Sequence, residues 1–196
     1  MNIEYFLVPF NHGSHGTWLT WFINKHSSFP GNVLLDKKYN DSNCPSKITD
    51  YSVLNAVWKY TEQEIKDVLP KLQGSYTKVA LKLLPHHSMY SESEETVIKV
   101  GSKAKRIIIP VVNETMHEVI ESRFTTIRPD QSNIIQESHK CVKRFKSMNP
   151  VTIDIGKIIS TDRNEYDLLL NTINEKPILN WKKLIRNTVG KIYNEY

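Results

Sequence analysis

Cysteine is nearly absent from this chain: of 196 residues, only Cys44 and Cys141 carry a thiol. They are far apart and sit in neither a CxxC nor a Cys/His ligand spacing, so neither a zinc site nor a disulfide framework is indicated, and no metal is expected. Long apolar runs are missing too. None approaches the length that crosses a bilayer, and the first residues lack the basic-then-apolar layout of a secretion signal. The expectation is a cytoplasmic chain with no membrane partner. No internal repeat, low-complexity tract or linker divides the sequence, so residues 1–196 are expected to form a single domain that buries about 70% of its unfolded surface. Acidic charge is in mild deficit, with 26 Lys and Arg against 21 Asp and Glu, a net charge of +5 and a pI near 9.1. That balance favours an anionic cofactor or polyanion but falls short of a nucleic-acid-binding composition, and no nucleic-acid partner is expected.

The stretch FLVPFNHGSHGTWLTWF, from Phe6 to Phe22, organises the rest. An apolar run (Phe6, Leu7, Val8) stops at Pro9, passes through a polar loop holding Gly13 and Gly16, and re-enters an apolar pattern at Trp18, Leu19 and Phe22. That order predicts a strand, a glycine loop and a helix over about Thr17 to His26. Such a unit can hold an anion, because loop N–H groups converge and the helix N-terminus adds partial positive charge. Thr17 sits where its hydroxyl can join them. A plain structural βα turn with glycines accounts for the same pattern, and both readings stand. The loop is not a Walker A motif, since no Gly-Lys-Ser/Thr follows the first glycine.

Further along, residues 29–51 form an irregular segment, and Ser52 to Leu72 reads as helical in one or two pieces, with a capping box at Thr61 and Glu64. KVALKLLP, from Lys78 to Pro85, predicts a buried strand that ends in His86 and His87. A short helix follows a second capping box at Ser91 and Glu94 and closes at Gly101. KRIIIPVV, from Lys105 to Val112, predicts the next buried strand, with Pro110 as a missing ladder bond. Helices are expected over Glu114–Arg128 and Gln131–Ser147, a strand over Val151–Ile159, and two closing helices over Thr161–Asn174 and Ile178–Tyr196. Strands alternating with helices imply an α/β fold, a mostly parallel sheet between two helical layers, with ligands outside the C-terminal strand ends. That edge gathers the Asn11–Thr17 loop, His86 and His87, and Asn113–His117.

The order of apolar strand, SHGTWL and helix resembles the 5′-phosphosulfate loop of the sulfotransferase family, carried here by Ser14, Gly16, Thr17, Trp18 and Leu19. LKLLPHH, ending at His87, is similar to that family's lysine, histidine, leucine, proline strand end. RIIIPVVNETMHEVIESRF, from Arg106 to Phe124, is similar to its strand and helix that grip the 3′-phosphate. The resemblance implies a P-loop NTPase-like, three-layer α/β/α fold and transfer of a sulfuryl group from 3′-phosphoadenosine 5′-phosphosulfate (PAPS) to a hydroxyl or amine, leaving 3′-phosphoadenosine 5′-phosphate (PAP). The acceptor would be a small molecule or a carbohydrate. Small divergent proteins of this kind occur in phage genomes, which would make the compartment a host cytoplasm.

By the same resemblance, His86 or His87 is the candidate general base, and His12 or His15 a donor when protonated. Gly13, Ser14, His15, Gly16, Thr17 and Trp18 form the candidate donor loop, and Ser122 and Arg123 the candidate 3′-phosphate contacts. Trp18 at the start of an amphipathic helix also reads as core. The sequence departs from the family at two places: the family lysine ahead of Ser-Gly-Thr falls here on Gly13 or Ser14, and its 3′-phosphate arginine falls near Asn113 or Glu114. Arg106, Arg123 or Arg128 would have to compensate. RNTVGK, from Arg186 to Lys191, is loosely similar to a basic, glycine-containing family segment but sits inside an apparent helix. Two readings therefore stay open: a sulfotransferase-like enzyme, and a non-catalytic nucleotide- or anion-binding protein on the same scaffold.

Overall fold

A computed structural model describes residues 3–10, 14–29, 76–83, 101–114 and 134–193. Strand β1 (Glu4–Pro9) leads to helix α1 (Gly16–Asn24), and strands β2 (Lys78–Leu83) and β3 (Arg106–Val111) follow. Helix α2 (Ile134–Arg144), a 3-10 turn (Lys146–Met148) and strand β4 (Val151–Asp154) come next. Helices α3 (Ile155–Ile159), α4 (Arg163–Ile173) and α5 (Trp181–Tyr193) complete the described chain. The helix expected over 52–72, both capping boxes, most of the helix over 114–128 and most of the segment 29–51 lie outside the described residues.

Among the described residues the sheet has four strands, all parallel, in the order β2-β1-β3-β4. Apolar side chains leave both faces, as the unbroken apolar strand sequences require when neither face meets water. On one face Phe6, Val8, Ala80, Ile108 and Ile153 pack under α1, α3, α4 and α5, through Trp18, Phe22, Ile158, Tyr166 and Trp181. On the other face Leu7, Val79, Leu81, Ile107 and Ile109 pack against Cys141 and Phe145 from the α2 side. Stacked rings fill the first layer: Trp18 lies 5.2 Å from Phe22 at 7°, and Tyr166 lies 4.0 Å from Trp181 at 23°.

One expectation changes. VTIDIGKII was expected as one strand, but the strand stops at Asp154, whose carboxylate accepts from Lys157 N at 3.1 Å and starts α3. A local N-cap ends the alternation there, because it satisfies helical N–H groups that an extended chain would direct elsewhere. The strand expected over Lys105–Val112 is present as β3, with Pro110 inside it and paired with Ile153.

The outer side of β2 is closed by side chains from the end of α1. Asn24 Nδ2 donates to Ala80 O at 3.0 Å, and Ala80 N donates to Asn24 Oδ1 at 2.9 Å, so one carboxamide serves both main-chain groups of that residue. Below it, Lys78 is a buried cation that holds the end of α4. Its Nζ donates to Ile173 O (2.9 Å), Asn174 O (2.7 Å) and Glu175 Oε1 (2.8 Å), where the negative end of the helix dipole lies.

Candidate functional site

The C-terminal ends of β1 and β3 mark the place where the strand order reverses, the usual ligand crevice of an open parallel sheet. The sequence helps open it. Tyr5 O accepts from Lys105 N at 2.8 Å, so Tyr5, Leu7 and Pro9, spaced by two along the strand, turn their main-chain groups toward β3. Pro9 has no N–H to give. The β1–β3 register accordingly covers Phe6–Arg106 and Leu7–Ile107 and does not continue to the strand ends.

The loop that leaves this crevice enters α1 through His15, which takes the left-handed conformation at φ 54°. Its carbonyl accepts from Leu19 N at 2.9 Å, but the His15 side chain makes no capping bond to the first turn of α1, and no acidic residue stands in that turn. Gly16 is obligatory for a packing reason, since a Cβ there would meet the Phe10 ring at 1.9 Å. Thr20 returns its hydroxyl to Gly16 O at 2.7 Å, whereas the half-buried Thr17 has no such side-chain bond among the described residues. Ser14 is fully buried. The first turn therefore presents main-chain donors and one hydroxyl, and Ser14 to Trp18 contains no lysine or arginine.

Trp18 belongs to the core. It is 2% exposed, stacks on Phe22 and donates Nε1–H to Thr188 Oγ1 at 3.3 Å. That bond places RNTVGK beside the first loop, a juxtaposition across 170 residues that sequence reasoning set aside because the segment is helical. Phe10 was also missed, although an apolar residue straight after Pro9 is the available signal for a ring folded over the loop glycine.

His12, Gly13, His86, His87, Ser122, Arg123 and Arg128 lie outside the described residues. Arg106 is described and exposed at the N-terminal start of β3, roughly 16 Å of strand from the crevice end at about 3.3 Å per residue, so it cannot stand in for a missing 3′-phosphate arginine. Asn113, one of the two positions where that arginine would fall, instead donates Nδ2–H to both Asp154 carboxylate oxygens at 3.2 Å. Asp154 N donates to Glu165 Oε1 at 2.7 Å, so the ends of β3 and β4 are joined by carboxylates rather than cations.

The buried titratable groups are structural. His26 Nδ1 lies 3.0 Å from Ile23 O, and its Nε2 lies 3.3 Å from Tyr166 Oη, which accepts from Ile178 N at 3.0 Å. Burial holds the His26 pKa below its ordinary value, against the smaller opposing effect of its main-chain hydrogen bonds. Cys141 is buried, and its thiol pKa is pushed up to about 12 by desolvation, so it is not a nucleophile near neutral pH. Among the described residues no group of His, Cys, Asp and Glu could hold a metal ion, and no helix is long and apolar enough to cross a membrane.

The described residues thus define an α/β protein whose first loop opens a helix at the switch point of a parallel sheet. No protein-family model matches the chain, and no curated protein is significantly similar to it.

Proposed function

We propose that the Ser14–Trp18 loop binds the 5′ end of PAPS on a P-loop-like scaffold, and that the protein is a sulfotransferase-like enzyme. The observation that carries this reading is the first turn of α1, which holds Thr17 and receives no capping bond from the His15 side chain, following a central parallel strand. The donor supplies the activated sulfuryl group. In this reading the chain holds the phosphosulfate on main-chain N–H groups and Thr17, and His86 or His87 takes the acceptor proton as the new S–O or S–N bond forms and PAP departs. A non-catalytic nucleotide- or anion-binding protein is the second reading. It is favoured by the lack of a cation in the loop and by the engagement of Asn113 with Asp154.

A thermal shift with PAP and ADP, on the wild type and Thr17→Ala, tests both. Ligand at 100 times its dissociation constant adds about 2.7 kcal/mol, or roughly 5–10 °C for a domain of this size. A shift selective for PAP and reduced in Thr17→Ala supports the donor site, and sulfate transfer to an acceptor panel then decides between enzyme and binder. Equal shifts with both nucleotides favour the binder, and no shift with either removes the donor reading.

A further inference from the structure

The first two turns of α5 carry a second, independent feature. Their outer side forms an open depression of ≈ 540 Å³ lined by Asn180, Trp181, Lys182, Lys183, Arg186 and Asn187. All but Trp181 are exposed, and Trp181, 6% exposed, anchors the helix by stacking on Tyr166. Lys182 Nζ lies 5.7 Å above the Trp181 ring, which holds that ammonium at the rim. Among the described residues, Lys182, Lys183 and Arg186 have no ion-pair partner. Glu175 pairs with Lys78 and Asp167 with Arg163. From Lys176 to Asn194, between Glu175 and Glu195, the sequence has five basic residues and no acid.

We propose that this depression binds an anionic carbohydrate, a sugar carrying sulfate or phosphate esters. The two carboxamides, Asn180 and Asn187, match sugar hydroxyls, which donate and accept, while the three cations match ester oxygens. A membrane surface fits less well, because the apolar side of α5, with Trp181 and Ile185, is buried in the core and cannot enter lipid. A nucleic acid fits less well, because its backbone needs a continuous track of cations, and the three here lie within two turns of one helix. The proposal does not depend on what the first loop binds.

The test is fluorescence anisotropy on the full chain with a labelled heparin-derived hexasaccharide. An uncharged hexasaccharide, an RNA hexanucleotide and phosphatidylserine vesicles are run beside it. Saturable binding of the sulfated sugar that weakens at high salt and falls roughly tenfold or more in Lys183→Glu/Arg186→Glu is the expected result. Lys143→Glu/Lys146→Glu, an equal charge change at exposed positions in and just after α2, controls for net charge and should leave binding within about twofold. Circular dichroism melting checks that both double variants fold. Four outcomes would overturn the proposal: no saturable binding, equal binding of the uncharged sugar, tighter binding of RNA or vesicles, or equal losses in the two double variants.

Discussion

Replacing Gly16 by alanine separates a packing role for that glycine from a ligand role. An added Cβ would lie 1.9 Å from Phe10 Cγ, 2.1 Å from Cδ1 and 2.4 Å from Cβ, where ordinary contact begins at 3.4 Å. Turning the ring leaves the Cβ conflict in place, so the chain after Pro9 must move as well. Overpacking of this kind costs typically about 1–3 kcal/mol, while alanine in place of glycine in a helix returns up to about 1 kcal/mol. A conflict as close as 1.9 Å puts the cost at the upper end, and the expected net loss is about 2 kcal/mol, roughly 4–8 °C in Tm for a domain of this size. Urea unfolding of Gly16→Ala, Phe10→Ala and the double variant measures it. Phe10→Ala alone loses about 3–5 kcal/mol from the cavity it leaves, but the double variant should be more stable than the sum of the singles predicts, by about 1–3 kcal/mol of coupling. Additive losses, or a Gly16→Ala protein as stable as the wild type, would refute the packing argument and return the glycine to a ligand-driven explanation.

Two further perturbations probe the scaffold around the site. Lys78→Met removes the cation from the buried Glu175 carboxylate and from the end of α4, and should cost about 3–5 kcal/mol in urea unfolding. Burial alone would raise the Glu175 pKa, but hydrogen bonds from Lys78, Ser28 and Ser27 outweigh it and hold the carboxyl below its ordinary 4.5. The stabilisation from Glu175 is therefore complete above the unfolded value and drains away as pH falls through the lower folded value. Without Lys78, burial dominates and protonation relieves the variant, so the stability gap between wild type and variant should narrow from about pH 7 to about pH 4, and a constant gap would contradict the pairing. At the end of α3, Thr161 holds φ 64° in a Schellman arrangement, with Asp162 N on Lys157 O at 2.9 Å and Thr161 N on Ile158 O at 3.0 Å. A β-branched residue there is strained, and Thr161→Gly should raise stability by about 0.5–1 kcal/mol, visible as a higher urea midpoint at unchanged slope.

The elements legible in the sequence are those whose signal is local and redundant. FLVP and RIIIPV read as strands because a parallel strand buried on both faces is apolar at every position, and α1 reads as a helix because Trp18, Leu19 and Phe22 share one side. VTIDIGKII misled because its alternation is genuine for four residues, after which Asp154 caps a helix that the pattern does not announce. Lys78 was illegible for a different reason. A lysine at the start of a strand reads as solvated, and only the fold brings the end of α4 and Glu175 to it. The pairing of Trp18 with Thr188 is likewise a product of topology rather than pattern.

The same contrast bears on chemistry. The first loop offers an anion what a helix N-terminus and a hydroxyl can give, and a helix N-terminus contributes about 0.3–1 kcal/mol to a nearby negative charge, up to about 2 where partly buried. Several main-chain N–H groups acting together can hold a phosphate ester, but stabilising the charge that builds on a departing phosphate is the work of a cation aimed at the bridging oxygen. Ser14 to Trp18 contains none, and the strand ends beside it are tied by Asp154 and Glu165. In the proposed reading binding and transfer are separable: the first turn of α1 would account for the first, and the second would rest on a protonated His12 or His15, the ionisable groups that the sequence places in the loop.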